Sequence, residues 1–68
     1  MKEFKIKDDF IKLGQLLKAA SLVSSGLEAK DVITAGEVLV NGETEIRRGR
    51  KLYPGDIASY NDEEVKVL

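Results

Sequence analysis

Residues 36–46 read GEVLVNGETEI, and this stretch predicts a β-hairpin. An apolar run at residues 38–40 is followed by Asn41-Gly42, the strongest short signal for a two-residue hairpin turn. Both turn residues tolerate positive φ, as a type I′ turn requires. The second strand is predicted to run from Glu43 to Ile46.

A helical pattern lies upstream of the hairpin. Apolar residues at positions 10, 13, 17 and 20 recur at helical spacing. The helix is predicted to start between Asp9 and Leu13. The start stays open because Phe10-Ile11 equally extends the alternating strand pattern of residues 3–7.

A second helix is predicted between this first helix and the hairpin. Ser25 and Glu28 match a capping box, and the helix should run over residues 27–35 and end at Gly36. At about two and a half turns it is too short to persist alone, so it must pack against other elements.

Short strands follow the hairpin. Pro54-Gly55 marks a turn, residues 57–60 form a strand pattern, Asn61-Asp62 marks another turn, and residues 63–68 alternate as a last strand. The predicted fold class is α+β, with two short helices packed on a small, mostly antiparallel sheet of four to five strands. Residues 1–68 are predicted to form one domain.

The composition excludes several classes of site. The chain has no cysteine and no histidine, which removes disulfides, the usual zinc sites, thiol nucleophiles and histidine acid–base catalysis. No catalytic residue, metal ligand, cofactor or small-molecule substrate is therefore predicted. The charged N-terminus and the lack of a long apolar run predict a cytoplasmic protein without a membrane partner.

The positive charge is concentrated in one place. Residues 47–51 read RRGRK and carry +4, whereas the whole chain carries −1 and the remainder therefore −5. Such concentration indicates a site for a polyanion, because interspersed charges would serve solubility equally well. Arginine suits phosphate, since its planar fork of donors grips oxygens in pairs. The alternative is a solvated basic loop.

The sequence resembles the S-four RNA-binding domain. The resemblance covers about residues 10–60 and is carried by KLGQLL at 12–17, LVSS at 22–25, AK at 29–30, GEVLVNG at 36–42 and GDI at 55–57. LGQLLK at 13–18 and RRGRKL at 47–52 look like the short stand-alone bacterial members of the YaaA or YbcJ type. The resemblance implies binding of structured RNA by its backbone, through the two helices and adjacent loops.

The resemblance also implies which residues contact RNA. The matching positions and the polar residue on the same helix face are Lys12, Gln15, Ser25, Lys30, Arg47, Arg48, Arg50 and Lys51. Many members have an arginine after the serine, and here that place is Gly26. The alternative for the helix lysines is solubility, and the alternative for Ser25 is helix capping alone.

The two tyrosines have two possible roles. Tyr53 and Tyr60 could stack on a base, but the chain has only four aromatic residues. A small core is expected to take both rings, so packing is the favoured interpretation.

The functional hypothesis is a non-catalytic module that binds structured RNA, either ribosomal or transfer RNA. The module is expected to act as a monomer and without a cofactor. Loops, bulges or junctions are expected to be preferred over plain duplex, because the A-form major groove hides its base edges. The alternative is a ribosome-associated adaptor whose basic loop docks an acidic protein.

Overall fold

The structure, a computed structural model, describes residues 1–68 and contains two helices and seven short strands. The helices are α1 (Leu13–Ala19) and α2 (Gly26–Thr34). The strands are β1 (Lys2–Phe4), β2 (Ile11–Lys12), β3 (Val38–Val40), β4 (Glu43–Thr44), β5 (Lys51–Leu52), β6 (Ile57–Tyr60) and β7 (Glu63–Val67).

Five of the strands form the main sheet, in the order β1-β7-β6-β3-β4. The pairings β7–β6, β6–β3 and β3–β4 are antiparallel, and only β1–β7 is parallel, with Glu3 opposite Lys66. Apolar side chains of both helices share one core with this sheet. The predicted α+β class, with two helices on a mostly antiparallel sheet, is confirmed.

The structure contains the predicted hairpin, with its turn at Asn41-Gly42. Asn41 and Gly42 have φ of 52° and 84°, the two positive values that a type I′ turn needs. The second strand is shorter than predicted and ends at Thr44. The Glu45 N–H still donates to the Val38 carbonyl at 3.0 Å, and the N–H of Arg47 then donates to the buried Glu45 carboxylate.

A separate two-stranded ribbon pairs β2 with β5. Ile11 lies opposite Leu52 and Lys12 opposite Lys51. The ribbon settles the start of α1 at Leu13, because residues 11–12 are extended. Strand β5 was not predicted, since two residues show no detectable period and Lys51 belonged to the basic stretch.

Only one of the two hydrogen bonds of the predicted capping box is present at the start of α2. The Ser25 hydroxyl oxygen accepts a hydrogen bond from the Glu28 N–H at 3.0 Å. The Glu28 carboxylate does not accept from the Ser25 N–H, as a capping box would require. It accepts from the N–H and the hydroxyl of Ser24, both at 2.8 Å.

The predicted bounds of the first strand were wrong, since β1 covers Lys2–Phe4 rather than residues 3–7.

The core is small and lies between the helices and the main sheet. Its thirteen buried members are Leu13, Leu16, Leu17, Val23, Ala29, Val32, Ile33, Val38, Val40, Leu52, Ala58, Val65 and Val67. Each fully buried leucine or valine contributes about 1.5–3 kcal/mol of transfer free energy. Neither helix has the length or apolar content needed to cross a membrane.

Candidate nucleic-acid interface

A groove of about 370 Å³ opens where the start of α1, the start of α2 and the basic stretch meet. We call it the basic groove. Its lining residues are Lys12, Gly14, Gln15, Lys18, Gly26, Lys30, Arg48 and Gly49. Four of these are cationic and none is acidic or apolar. The groove therefore concentrates positive charge without a carboxylate in its lining.

Two backbone hydrogen bonds fix the basic stretch against α1. The N–H of Leu13 donates to the carbonyl of Arg50 at 2.9 Å, and the N–H of Gly14 donates to the carbonyl of Arg48 at 3.0 Å. These are first-turn N–H groups that have no partner within the helix. Because the loop carbonyls satisfy them, residues 48–50 are held beside α1 and the Arg48 side chain lines the groove.

Glu45 is the only buried charged residue, with 6% of its surface exposed. Its Oε2 accepts from the N–H of Arg47 and from Arg47 Nε, each at 3.0 Å. Its Oε1 accepts from Arg47 Nη2 at 2.9 Å and from Arg50 Nη1 at 3.1 Å. Both carboxylate oxygens are thus satisfied by donors from the basic stretch.

These contacts stabilise the ionised form of Glu45. Hydrogen bonds from the Arg47 side chain are the largest cause, and they lower the pKa of the Glu45 carboxyl from 4.5 to about 2 although burial opposes them. The same pairing raises the pKa of Arg47. Glu45 is therefore ionised and Arg47 protonated near neutral pH.

The basic pentapeptide does not act as one unit in the structure. Arg48 lines the basic groove, whereas Arg47 and Arg50 bind Glu45 and Lys51 projects from the ribbon with its Nζ 4.8 Å from the centre of the Phe10 ring. The Arg47 side chain remains 72% exposed, so its outer donors still reach solvent.

The predicted residues of the two helices are placed differently from one another. Lys12, Gln15 and Lys30 lie together in the basic groove with Arg48. The side-chain oxygen Oε1 of Gln15 accepts from the N–H of Lys12 at 3.4 Å, which is a capping role. Ser25 caps α2 and does not line the groove.

Two residues that shape this site were not among the predicted RNA contacts. Lys18 lines the groove, and its position on the same helix face as Gln15 was a signal for it. Glu45 carried no signal, because an acid beside a hairpin is ordinarily solvated. Gly26, the departure from the family pattern, also lines the groove, and a Cβ at this position would meet nothing within 4 Å.

Three acidic residues lie together on another part of the surface. Glu37, Asp62 and Glu64 border a shallow depression on the main sheet, formed by β3, β6 and β7. Although the net charge is −1, the surface therefore has one groove with a cationic lining and one depression bordered by three carboxylates.

Comparisons with known proteins agree with this architecture. The family model of the S4 domain matches residues 4–68. A relative from Bacillus subtilis (strain 168), named "Probable ribosome maturation protein RlbA", is 52% identical over 52 residues, which are 76% of this chain and 73% of the relative. The solution structure of YbcJ from E. coli, which revealed an alfaL motif involved in RNA binding, superposes with a TM-score of 0.76. It is 33% identical, and the match covers 100% of this chain and 87% of YbcJ. The chain belongs to the S4 domain family.

Proposed function

We propose that this protein is a non-catalytic RNA-binding module that holds structured ribosomal or transfer RNA by its phosphate backbone in the basic groove. The observation that carries the proposal is the convergence of Lys12, Lys18, Lys30 and Arg48 on one groove with no acid in its lining. Separate elements supply these cations, so folding is what concentrates them.

The chemistry of the groove suits phosphate. Lysine ammonium groups attract it as point charges, and Arg48 adds the fork of donors that matches its oxygens. The groove also reaches the first residue of α2, Gly26, and a helix N-terminus favours an anion. Because the N–H groups of Leu13 and Gly14 at the start of α1 are already bonded to the loop, α2 is the helix that contributes in this way.

The relatives support the class of ligand and the setting. YbcJ has an alfaL motif involved in RNA binding, and RlbA is a probable ribosome maturation protein. We extend both to this chain, with ribosomal RNA or the ribosome as partner and the cytoplasm as location. Four residues outside the groove lining stay predicted RNA contacts, and they would bind RNA through donors that face solvent: Ser25, Arg47, Arg50 and Lys51.

The test compares two triple variants that change the net charge equally. One carries Lys12→Gln, Lys18→Gln and Lys30→Gln in the groove. The matched control carries Lys5→Gln, Lys7→Gln and Lys66→Gln, which lie outside the groove lining. Binding of labelled ribosomal RNA fragments and of a tRNA pool is measured by fluorescence anisotropy over a series of salt concentrations.

Wild-type protein should bind with a slope of log K against log salt of roughly −3 to −4, if each of the four groove cations neutralises one phosphate. The groove variant should lose most of this slope and most of its affinity, while the control keeps both. Equal losses in the two variants would show that only net charge matters. Retention of a protein partner after nuclease treatment, without RNA binding, would favour the adaptor instead.

A further inference from the structure

The β2–β5 ribbon has two different faces. The register places Ile11 opposite Leu52 and Lys12 opposite Lys51, and the rings of the flanking residues Phe10 and Tyr53 lie beside each other. Because side chains alternate along a strand, Ile11 and Leu52 share one face, and Leu52 is completely buried there. The other face presents Phe10, Lys12, Lys51 and Tyr53. We call these four residues the outer ribbon face.

The aromatic rings on this face are not in the core. Tyr53 is 48% exposed, contrary to the expectation that the core would take it, whereas Tyr60 packs against the core as expected. The centres of the Phe10 and Tyr53 rings lie 6.1 Å apart with 50° between their planes. Lys51 Nζ lies 4.8 Å from the centre of the Phe10 ring, within the range of a cation–π contact. Lys51 therefore covers the Phe10 ring, and Tyr53 is the exposed aromatic residue of this face.

Exposed aromatic rings beside lysines have the chemistry of a platform for single-stranded nucleic acid. A nucleobase stacks on the ring regardless of sequence, and the neighbouring cations neutralise the adjoining phosphates.

The outer ribbon face is also continuous with the basic groove. Lys12 belongs to both, because it lines the groove and lies on the ribbon opposite Lys51. A phosphate backbone held in the groove can therefore continue directly onto the ribbon. A duplex has no free base to offer there, since its bases are stacked and paired.

We propose that the outer ribbon face is a subsite for one unpaired nucleotide, whose base stacks on Tyr53 and whose phosphate lies at Lys51 and Lys12. The proposal rests on the proposed function, because it takes its RNA from the basic groove. It adds the structural basis for a preference for RNA that has an unpaired residue next to a helix.

The test uses two labelled RNAs, a blunt duplex and the same duplex with a short unpaired adenosine extension. Wild-type protein should bind the extended RNA about 5- to 150-fold more tightly, the range expected from stacking of one base. Tyr53→Leu should remove this preference and leave the Kd of the blunt duplex unchanged. Tyr53→Phe keeps the ring and should keep the preference.

Tyrosine fluorescence gives a second readout that does not depend on the leucine variant. The chain has two tyrosines and no tryptophan. The extended RNA should quench wild-type emission, and Tyr53→Phe should bind equally well without that quenching. Quenching that persists in Tyr53→Phe would come from Tyr60 and would overturn the proposal.

The outcomes separate this inference from the proposed function. Equal affinity of wild-type protein for the two RNAs overturns the subsite while leaving the groove intact. A Tyr53→Leu protein that loses both RNAs in the same proportion also overturns it. Failure of wild-type protein to bind either RNA overturns the groove and the subsite together.

Discussion

Glu45 accepts two hydrogen bonds from the guanidinium of Arg47, 3.0 Å from Nε and 2.9 Å from Nη2, although only one residue separates the two in the chain. The same carboxylate accepts from Arg50 at 3.1 Å. A buried acid thus bends the basic stretch around itself. The backbone carbonyls of residues 48 and 50 are then free to meet the start of α1.

This geometry predicts that Glu45→Gln weakens RNA binding. By charge alone, removing an acid beside four cations should strengthen binding to a polyanion. We expect the opposite, a several-fold loss, because a neutral amide cannot hold both arginines and Arg48 then leaves the groove. The matched control is Glu43→Gln, which removes the same charge from an exposed position on β4. It should leave the Kd equal or slightly lower. A tighter Kd for Glu45→Gln would show that the carboxylate does not position the loop.

The low pKa of Glu45 predicts a pH-dependent share of stability. In the folded protein this pKa is about 2, against a value of 4.5 for an unperturbed carboxyl. A depressed folded-state pKa stabilises the fold above the unfolded value, and that stabilisation is lost as the pH falls through the folded value. Urea unfolding of wild type and Glu45→Gln should therefore differ most above pH 4.5. The difference should shrink steadily toward pH 2, and a constant difference would contradict the ion pair.

Gly26 offers a gain of function. Its added Cβ would meet nothing within 4 Å, and the residue lines the basic groove. Gly26→Arg should place a fifth cation in the groove and steepen the salt slope by about 0.7–0.9 for one more phosphate. Gly26→Gln tests whether side-chain bulk alone has an effect, and it should leave the slope unchanged. A Gly26→Arg protein with unaltered affinity would mean that RNA does not pass this point.

Asn41 is predicted to stabilise the fold through its side chain as well as through its turn conformation. Its Nδ2 donates to Asp56 Oδ1 at 3.0 Å, and its Oδ1 accepts from the Ile57 N–H at 2.9 Å. Asn41→Gly suits the φ of 52° but removes both bonds, which should cost about 1–3 kcal/mol of unfolding free energy. Asn61→Gly is the control, since Asn61 has a φ of 53° and no such side-chain bonds. Similar unfolding free energies for the two variants would show that the turn conformation alone matters.

Local chemistry made much of the fold predictable. The Asn41-Gly42 turn needs only two residues that tolerate positive φ, and the Ser25 cap needs only an oxygen three residues before an N–H. The spacing of buried leucines on α1 is likewise a property of the helix itself. Each of these features is decided within a few residues, so sequence alone determined them and, with them, the α+β class.

The different contacts of the basic residues were decided only by the tertiary structure. In sequence, residues 47–51 are a single run of cations. Only the folded chain places a buried acid between Arg47 and Arg50, aims Arg48 at lysines from α1 and α2, and lays Lys51 beside Phe10. The pairing of β2 with β5, about 40 residues apart in the chain, likewise exposes Tyr53 rather than burying it. Long-range packing decides which face of a two-residue strand meets the core, and no local periodicity encodes that choice.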